Sequence, residues 1–117
     1  MLRGRDAAGS EHVVELSGPS LVIAVKPNCD GCHAFIFGDL AELAGVTVHL
    51  LSASAPGDDE WRGAARDVLI APASLEELDV RSAPHYLVVD PLGPAILTEG
   101  IPFSPAQVAT EIASFLS

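Results

Sequence analysis

The chain has 117 residues, 49% of them hydrophobic, two cysteines and a formal net charge of −10 at pH 7, which suits one ordinary domain with one core and is short for two. Its six basic residues, Arg3, Arg5, Lys26, Arg62, Arg66 and Arg81, are dispersed, so no patch neutralises several phosphates, and nucleic acid and anionic membrane surfaces are excluded as expected partners. The acidic excess reads as a solvated face.

The opening stretch MLRGRDAAGSEH carries basic residues with no apolar segment after them, and no uninterrupted apolar run is long enough to span a bilayer. The expectation is a cytoplasmic monomer with no membrane segment, its cysteines kept mainly reduced, and with residues 1–11 flexible. HVVELS (12–17) reads as a short strand bounded by Gly18-Pro19. LVIAVK (21–26) is a continuous β-branched run, apolar on both faces, as a central covered strand requires. Pro27-Asn28 ends it. From Asp30 to Ala44, Phe35, Ile36, Leu40 and Leu43 recur at helical spacings with Gly45 as the stop.

VTVHLLS (46–52) predicts the next strand, and APGDDEWRGAAR (55–66) a turn into a short helix with an acidic first turn. Trp61 within it reads as a half-buried cover on the core. DVLIAP (67–72) is strand-like and ASLEEL (73–78) helical. HYLVVD (85–90) and AILTEG (95–100), joined by PLGP, predict an antiparallel hairpin. SPAQVATEIASFLS (104–117) opens with Ser as N-cap and Pro at the first helical position, with Val108, Ile112, Phe115 and Leu116 on one side. Strands alternating with helices define an α/β class: a central mixed sheet, helices on both faces, and a C-terminal hairpin plus helix, in one domain spanning 1–117.

The chemistry concentrates in Cys29-Asp30-Gly31-Cys32-His33, which satisfies both the haem-attachment pattern CxxCH and the thiol–disulfide pattern CxxC. A c-type haem would need export, an axial ligand such as Met and a helical fold; Met1 is the sole methionine, and the pattern is rich in strands. A bridge between cysteines this close closes too small a loop to serve as a structural staple. His12, His49 and His85 lack ligand spacing, so a closed zinc site within one chain is not expected, although two such pairs from two chains would supply four thiolates. Thiolate chemistry fits better. Cys29 falls at a predicted helix N-terminus, which favours the anion, and Cys32 lies one turn on, able to attack a mixed disulfide formed by Cys29. Asp30 opposes a neighbouring thiolate, whereas a protonated His33 favours it.

LVIAVKPNCDGCHAFI resembles the strand, CxxC and helix of the thioredoxin superfamily, and DVRSAPHYLVVDPLGPAILTEG resembles its second signature of cis-proline, strand, turn and strand. The resemblance runs from about Val13 onward. It implies a thiol–disulfide oxidoreductase without cofactor or metal, acting on protein or small-molecule disulfides or thiols. By the same resemblance Cys29 is the nucleophile, Cys32 the resolving thiol and Pro84 a cis-proline packed against the pair. Ala83 then offers its backbone to an extended substrate, and His85 lines the same groove. The added helix and strand before the proline look more like the TlpA and ResA branch and the peroxiredoxins, but the peroxidatic Pro-Thr-Cys pattern is absent.

Three positions depart from the family pattern. Asn28 replaces the aromatic before the first cysteine, Asp30-Gly31 replaces Gly-Pro, and Ile23 stands where thioredoxins bury an acid six positions before the nucleophile. The last predicts weak general disulfide reduction. The competing reading is a redox-switched or non-catalytic binding module on the same scaffold.

Overall fold

The computed structural model describes every residue except Met1, Ala7, Ala8, Ser17, Asn28, Ala44, residues 56–60, Arg62, Gly63, residues 91–94 and Ser117. In chain order the described residues form β1 (Leu2–Arg5), β2 (Glu11–Val14), β3 (Ser20–Val25), α1 (His33–Phe37), β4 (Val48–Ser52), β5 (Val68–Ile70), α2 (Pro72–Glu77), β6 (His85–Asp90), β7 (Ala95–Gly100) and α3 (Pro105–Leu116). Short 3₁₀ turns at Asp30–Cys32 and Ala41–Leu43 flank α1.

The strands pair in the order β2-β1-β5-β4-β3-β6-β7. β3 is buried along its whole length, parallel to β4 and antiparallel to β6, the covered position that its two apolar faces demand. Leu21, Ile23 and Val25 pack on one face with Phe35 and Ile36 of α1 and with Val108 and Ile112 of α3. Val22 and Ala24 pack on the other face with Leu75 of α2. The result is a mixed sheet with helices on both faces, closed by the β6–β7 pair and α3. Trp61 lies partly buried against the first of these cores.

α3 begins with a reciprocal cap. The Gln107 N–H donates to Ser104 Oγ at 3.1 Å, and the Ser104 N–H donates back to Gln107 Oε1 at 3.3 Å.

The structure differs from the sequence reading in three places. Part of residues 1–11 forms strand β1 rather than a frayed lead-in: it pairs with β2, and Leu2 is buried in the second core. Gly4 permits this, since a β-carbon there would stand 2.5 Å from the Ile70 carbonyl oxygen of β5. The helix expected from Asp30 to Ala44 stops at Gly38, whose N–H bonds the Ala34 carbonyl before the chain turns extended. Arg66 holds that end, its guanidinium donating to the Phe35 and Gly38 carbonyls, where a cation also suits the helix dipole. Most of the helix expected over 55–66 lies outside the described residues, as does the 91–94 turn; of the rest, Trp61 and Ala64–Arg66 are not helical.

Strand direction positions the site. Because Val25 pairs with Ser52 on β4 and Ala24 with His85 on β6, the segment after β3, the segment after β4 and the segment before β6 emerge at one end of the sheet.

Candidate active site

Both cysteines stand at that end as free thiols, Cys29 half-buried and Cys32 fully buried. Cys29 has extended backbone (φ −115°, ψ 109°) immediately before the 3₁₀ turn, and its carbonyl accepts the Cys32 N–H at 3.2 Å. The chain turns inward there because Phe35 and Ile36 must reach the core, and Cys32, on the same side, is carried in with them. Asp30, Gly31 and His33 remain exposed, and the His33 ring packs on Phe37 at 4.8 Å between centroids.

The loop before β6 completes the site. The Ala83–Pro84 peptide bond is cis, and the Pro84 ring lies over Gly31, within 3.5 Å of where a β-carbon on that glycine would stand. Ala83, Pro84 and His85 are each half-buried. Side chains alternate along a strand, so His85 points away from the face carrying Tyr86 and Ile23, and its Nε2 lies 3.1 Å from Glu99 Oε1 on β7. The structure thus gathers Cys29, Gly31, Cys32 and Pro84, while the imidazoles of His33 and His85 engage Phe37 and Glu99. Asn28 lies outside the described residues.

Burial pushes the Cys32 thiol up to about 12, and its hydrogen bond with Cys29 pushes in the same direction. A hydrogen bond from the Lys26 backbone and the Lys26 charge pull the other way. Cys32 therefore stays protonated beside Cys29, and Lys26 is the residue poised to ease its ionisation. In the sequence Lys26 is one of six dispersed basic residues and closes a strand-like run; its position three residues before Cys29 is the signal of its part here. Ile23 is fully buried between Leu50 and Tyr86 on the neighbouring strands, in the same hydrophobic core as Cys32. Among the described residues, no group of three or more His, Cys, Asp or Glu side chains gathers as a metal site.

No family model and no curated protein matches the chain. Among solved structures, it is similar to DsbF of Mycobacterium tuberculosis, with 16% identity and a TM-score of 0.63 over 97% of this chain and 93% of that one. The thioredoxin domain of a thiol–disulfide oxidoreductase from Bacteroides vulgatus aligns with 17% identity and a TM-score of 0.64, over 99% of this chain and 93% of that one. A secreted M. tuberculosis disulfide oxidoreductase homologous to E. coli DsbE gives 13% and 0.64, over 97% and 95%. The chain has the thioredoxin-like fold that these oxidoreductases share, and it carries the Cys29–Cys32 pair at the junction of β3 and the first helical turn.

Proposed function

We propose that the chain is a thiol–disulfide oxidoreductase in which Cys29 attacks and Cys32 resolves. The observation that carries this reading is the division of the pair, one thiol accessible at a strand–helix junction and the other buried and held protonated one turn later. Only a thiolate attacks a disulfide, and the accessible cysteine is the one that meets substrate.

In the reducing direction the Cys29 thiolate attacks one sulfur of a substrate disulfide R–S–S–R′, forming the Cys29–S–S–R bond and releasing R′S⁻. Cys32 then loses its proton and attacks the Cys29 sulfur. The mixed bond breaks, RS⁻ departs and the Cys29–Cys32 disulfide closes. Two electrons have passed from the dithiol to the substrate, and the two thiol protons go to water or to the departing thiolates. Run backward, the same steps oxidise a substrate dithiol. An extended substrate segment lies along Ala83 and Pro84, which border the pair. Lys26 assists the second step, because its backbone hydrogen bond and charge both favour the Cys32 thiolate where Ile23 offers no base.

Trapping tests the assignment. Cys32→Ser is expected to accumulate mixed disulfides through Cys29 when offered small-molecule or protein disulfides, read by intact mass, whereas Cys29→Ser accumulates few. Equal trapping by both variants, or none by either, overturns it. The hydrocarbon at Ile23 also favours a second reading, a redox-switched binding module; such a protein would trap substrate yet show no turnover when a reductant regenerates the dithiol.

A further inference from the structure

A cleft of about 350 Å³ opens at the same end of the sheet as the redox pair, on the face that packs against α2, lined by Ala24, Val25 and Lys26 at the end of β3, Ala53 and Ser54 after β4, Leu75 of α2, and Val80 to Ala83. It lies outside the carboxyl ends of two adjacent parallel strands, where open α/β sheets place their ligands. Two of its lining residues adjoin the site, and the Lys26 backbone is hydrogen-bonded to Cys32. Lys26 precedes Cys29 by three residues, and Ala83 is joined to Pro84, whose ring lies over Gly31.

The lining is at odds with the rest of the molecule. In a chain of net charge −10, two of the six basic residues, Lys26 and Arg81, border this one cleft together with Ser54 and Ser82, and none of the residues lining it is acidic. Asp79 Oδ1 accepts from Arg81 Nε at 3.1 Å and Nη2 at 3.0 Å, but both side chains are largely exposed, and so exposed a pair is weak enough to yield the guanidinium to a ligand. Lys26 makes no ion pair among the described residues. The volume matches the small end of ligand clefts, enough for a group the size of one amino-acid residue.

We propose that this cleft takes a carboxylate carried by the substrate disulfide, on the half that becomes joined to Cys29, with Lys26 and Arg81 as the residues that recognise it. The inference rests on the oxidoreductase reading and names the substrate class for that same site. Two cations and two hydroxyls suit a compact anion, and among thiol compounds of amino-acid or peptide type that anion is a carboxylate. A free small thiol and a peptide segment share this chemistry. The exchange steps are those given above; the carboxylate enters no bond and holds the sulfur of its own half toward Cys29.

The test measures oxidation of the reduced protein by three symmetric disulfides of similar size: dithiodipropionate (anionic), bis(hydroxyethyl) disulfide (neutral) and cystamine (cationic). Each rate is divided by the rate of the same disulfide with dithiothreitol, which removes intrinsic reactivity. The net charge alone would rank the cation first. The cleft predicts the anion first, by roughly three- to tenfold over the neutral compound. Arg81→Gln and Lys26→Gln should each lower the anion-to-neutral ratio, and the double variant or 1 M salt, which shortens screening to about 3 Å, should abolish it. A parallel series of peptide disulfides with Glu or Gln beside the cysteine separates the sources: preference in one series assigns the cleft to that source, and preference in both assigns it to the shared carboxylate. Reaction without anion preference in either series overturns this inference alone. No reaction with any disulfide overturns the redox reading and this inference with it.

Discussion

A β-carbon placed on Gly31 stands 3.5 Å from Cγ of Pro84 and 4.0 Å from the Cys29 sulfur. The residue between the cysteines and the proline ring thus meet at ordinary van der Waals distance, with the sulfur at the edge of the contact. One methyl group fits there in ordinary contact with both.

Gly31→Ala is therefore expected to change stability by less than about 1 kcal/mol and to slow alkylation of Cys29 only slightly. Gly31→Leu adds its bulk beside the Pro84 ring and the Cys29 sulfur, and should slow alkylation by roughly tenfold, since thiol reactivity follows exposure. Timed alkylation followed by peptide mass mapping checks both. Equal rates for the two variants would mean that the ring and sulfur are not held where the contact places them.

A thiol titrating near 12 is ionised at pH 8 to about one part in ten thousand. Iodoacetamide at pH 8 should modify Cys29 and spare Cys32, with Cys32 reacting as the pH rises well above 9. The same proton has a stability consequence. The folded state holds it more tightly than the unfolded chain, whose thiol titrates near 9.0, so this contribution is complete below pH 9 and is lost as the pH climbs toward 12. Urea melts of the reduced protein from pH 8 to 11 should show that decline, and Cys32→Ala should show a shallower one.

Tyr86 and Glu111 tie β6 to α3 through a hydrogen bond from the phenol to the carboxylate. Burial and the neighbouring carboxylate push the Tyr86 hydroxyl up to about 12, while the bonds from Tyr86 and Gln107 hold Glu111 below its ordinary value. The depressed carboxylate contributes stability above pH 4.5 that disappears as the pH falls through its folded value; the raised phenol contributes stability below pH 10 that disappears toward 12. Tyr86→Phe should flatten the Tm profile at both ends. A profile unchanged at the acid end would show that the bond is not maintained in solution.

What the sequence disclosed and what it hid divide by range. β3, the CxxC turn, β6 and the Ser104 cap were legible because each is written in adjacent residues: a β-branched run, two cysteines a turn apart, a second apolar run, and Ser followed by Pro. The early end of α1 was not legible, because the guanidinium that donates to its last carbonyls belongs to Arg66, 28 residues beyond Gly38 and 31 beyond Phe35. β1 was missed for a similar reason. Leu2–Arg5 is short and charged, and Gly4 shows its use only once the Ile70 carbonyl of β5 lies against it. At the site, the pair itself was readable, while the part played by Lys26 and the turn of His85 toward Glu99 depend on which strand ends the sheet brings together.

Ile23→Asp places a carboxyl group at a fully buried position in the core that also holds Cys32. It should destabilise the protein by at least the roughly 2–5 kcal/mol of removing a buried isoleucine side chain, and more because the carboxyl must be desolvated. If deprotonation of Cys32 limits the reaction, the variant should still turn over faster in an insulin-reduction assay, since a general base contributes to proton transfer. The unmodified protein should be slow in that assay. Rapid turnover without the acid would show that another group already removes the Cys32 proton.

The most direct measurement is the redox equilibrium of the Cys29–Cys32 couple itself. The protein is equilibrated against graded ratios of reduced to oxidised dithiothreitol, quenched in acid and read by intact mass and free-thiol count. The account predicts one reversible transition, from a dithiol to a monomer lacking two hydrogens, with the two-electron slope of about 30 mV per tenfold change in ratio. A chain that stays a dithiol at every ratio, or that oxidises only into bridges between molecules, would contradict it.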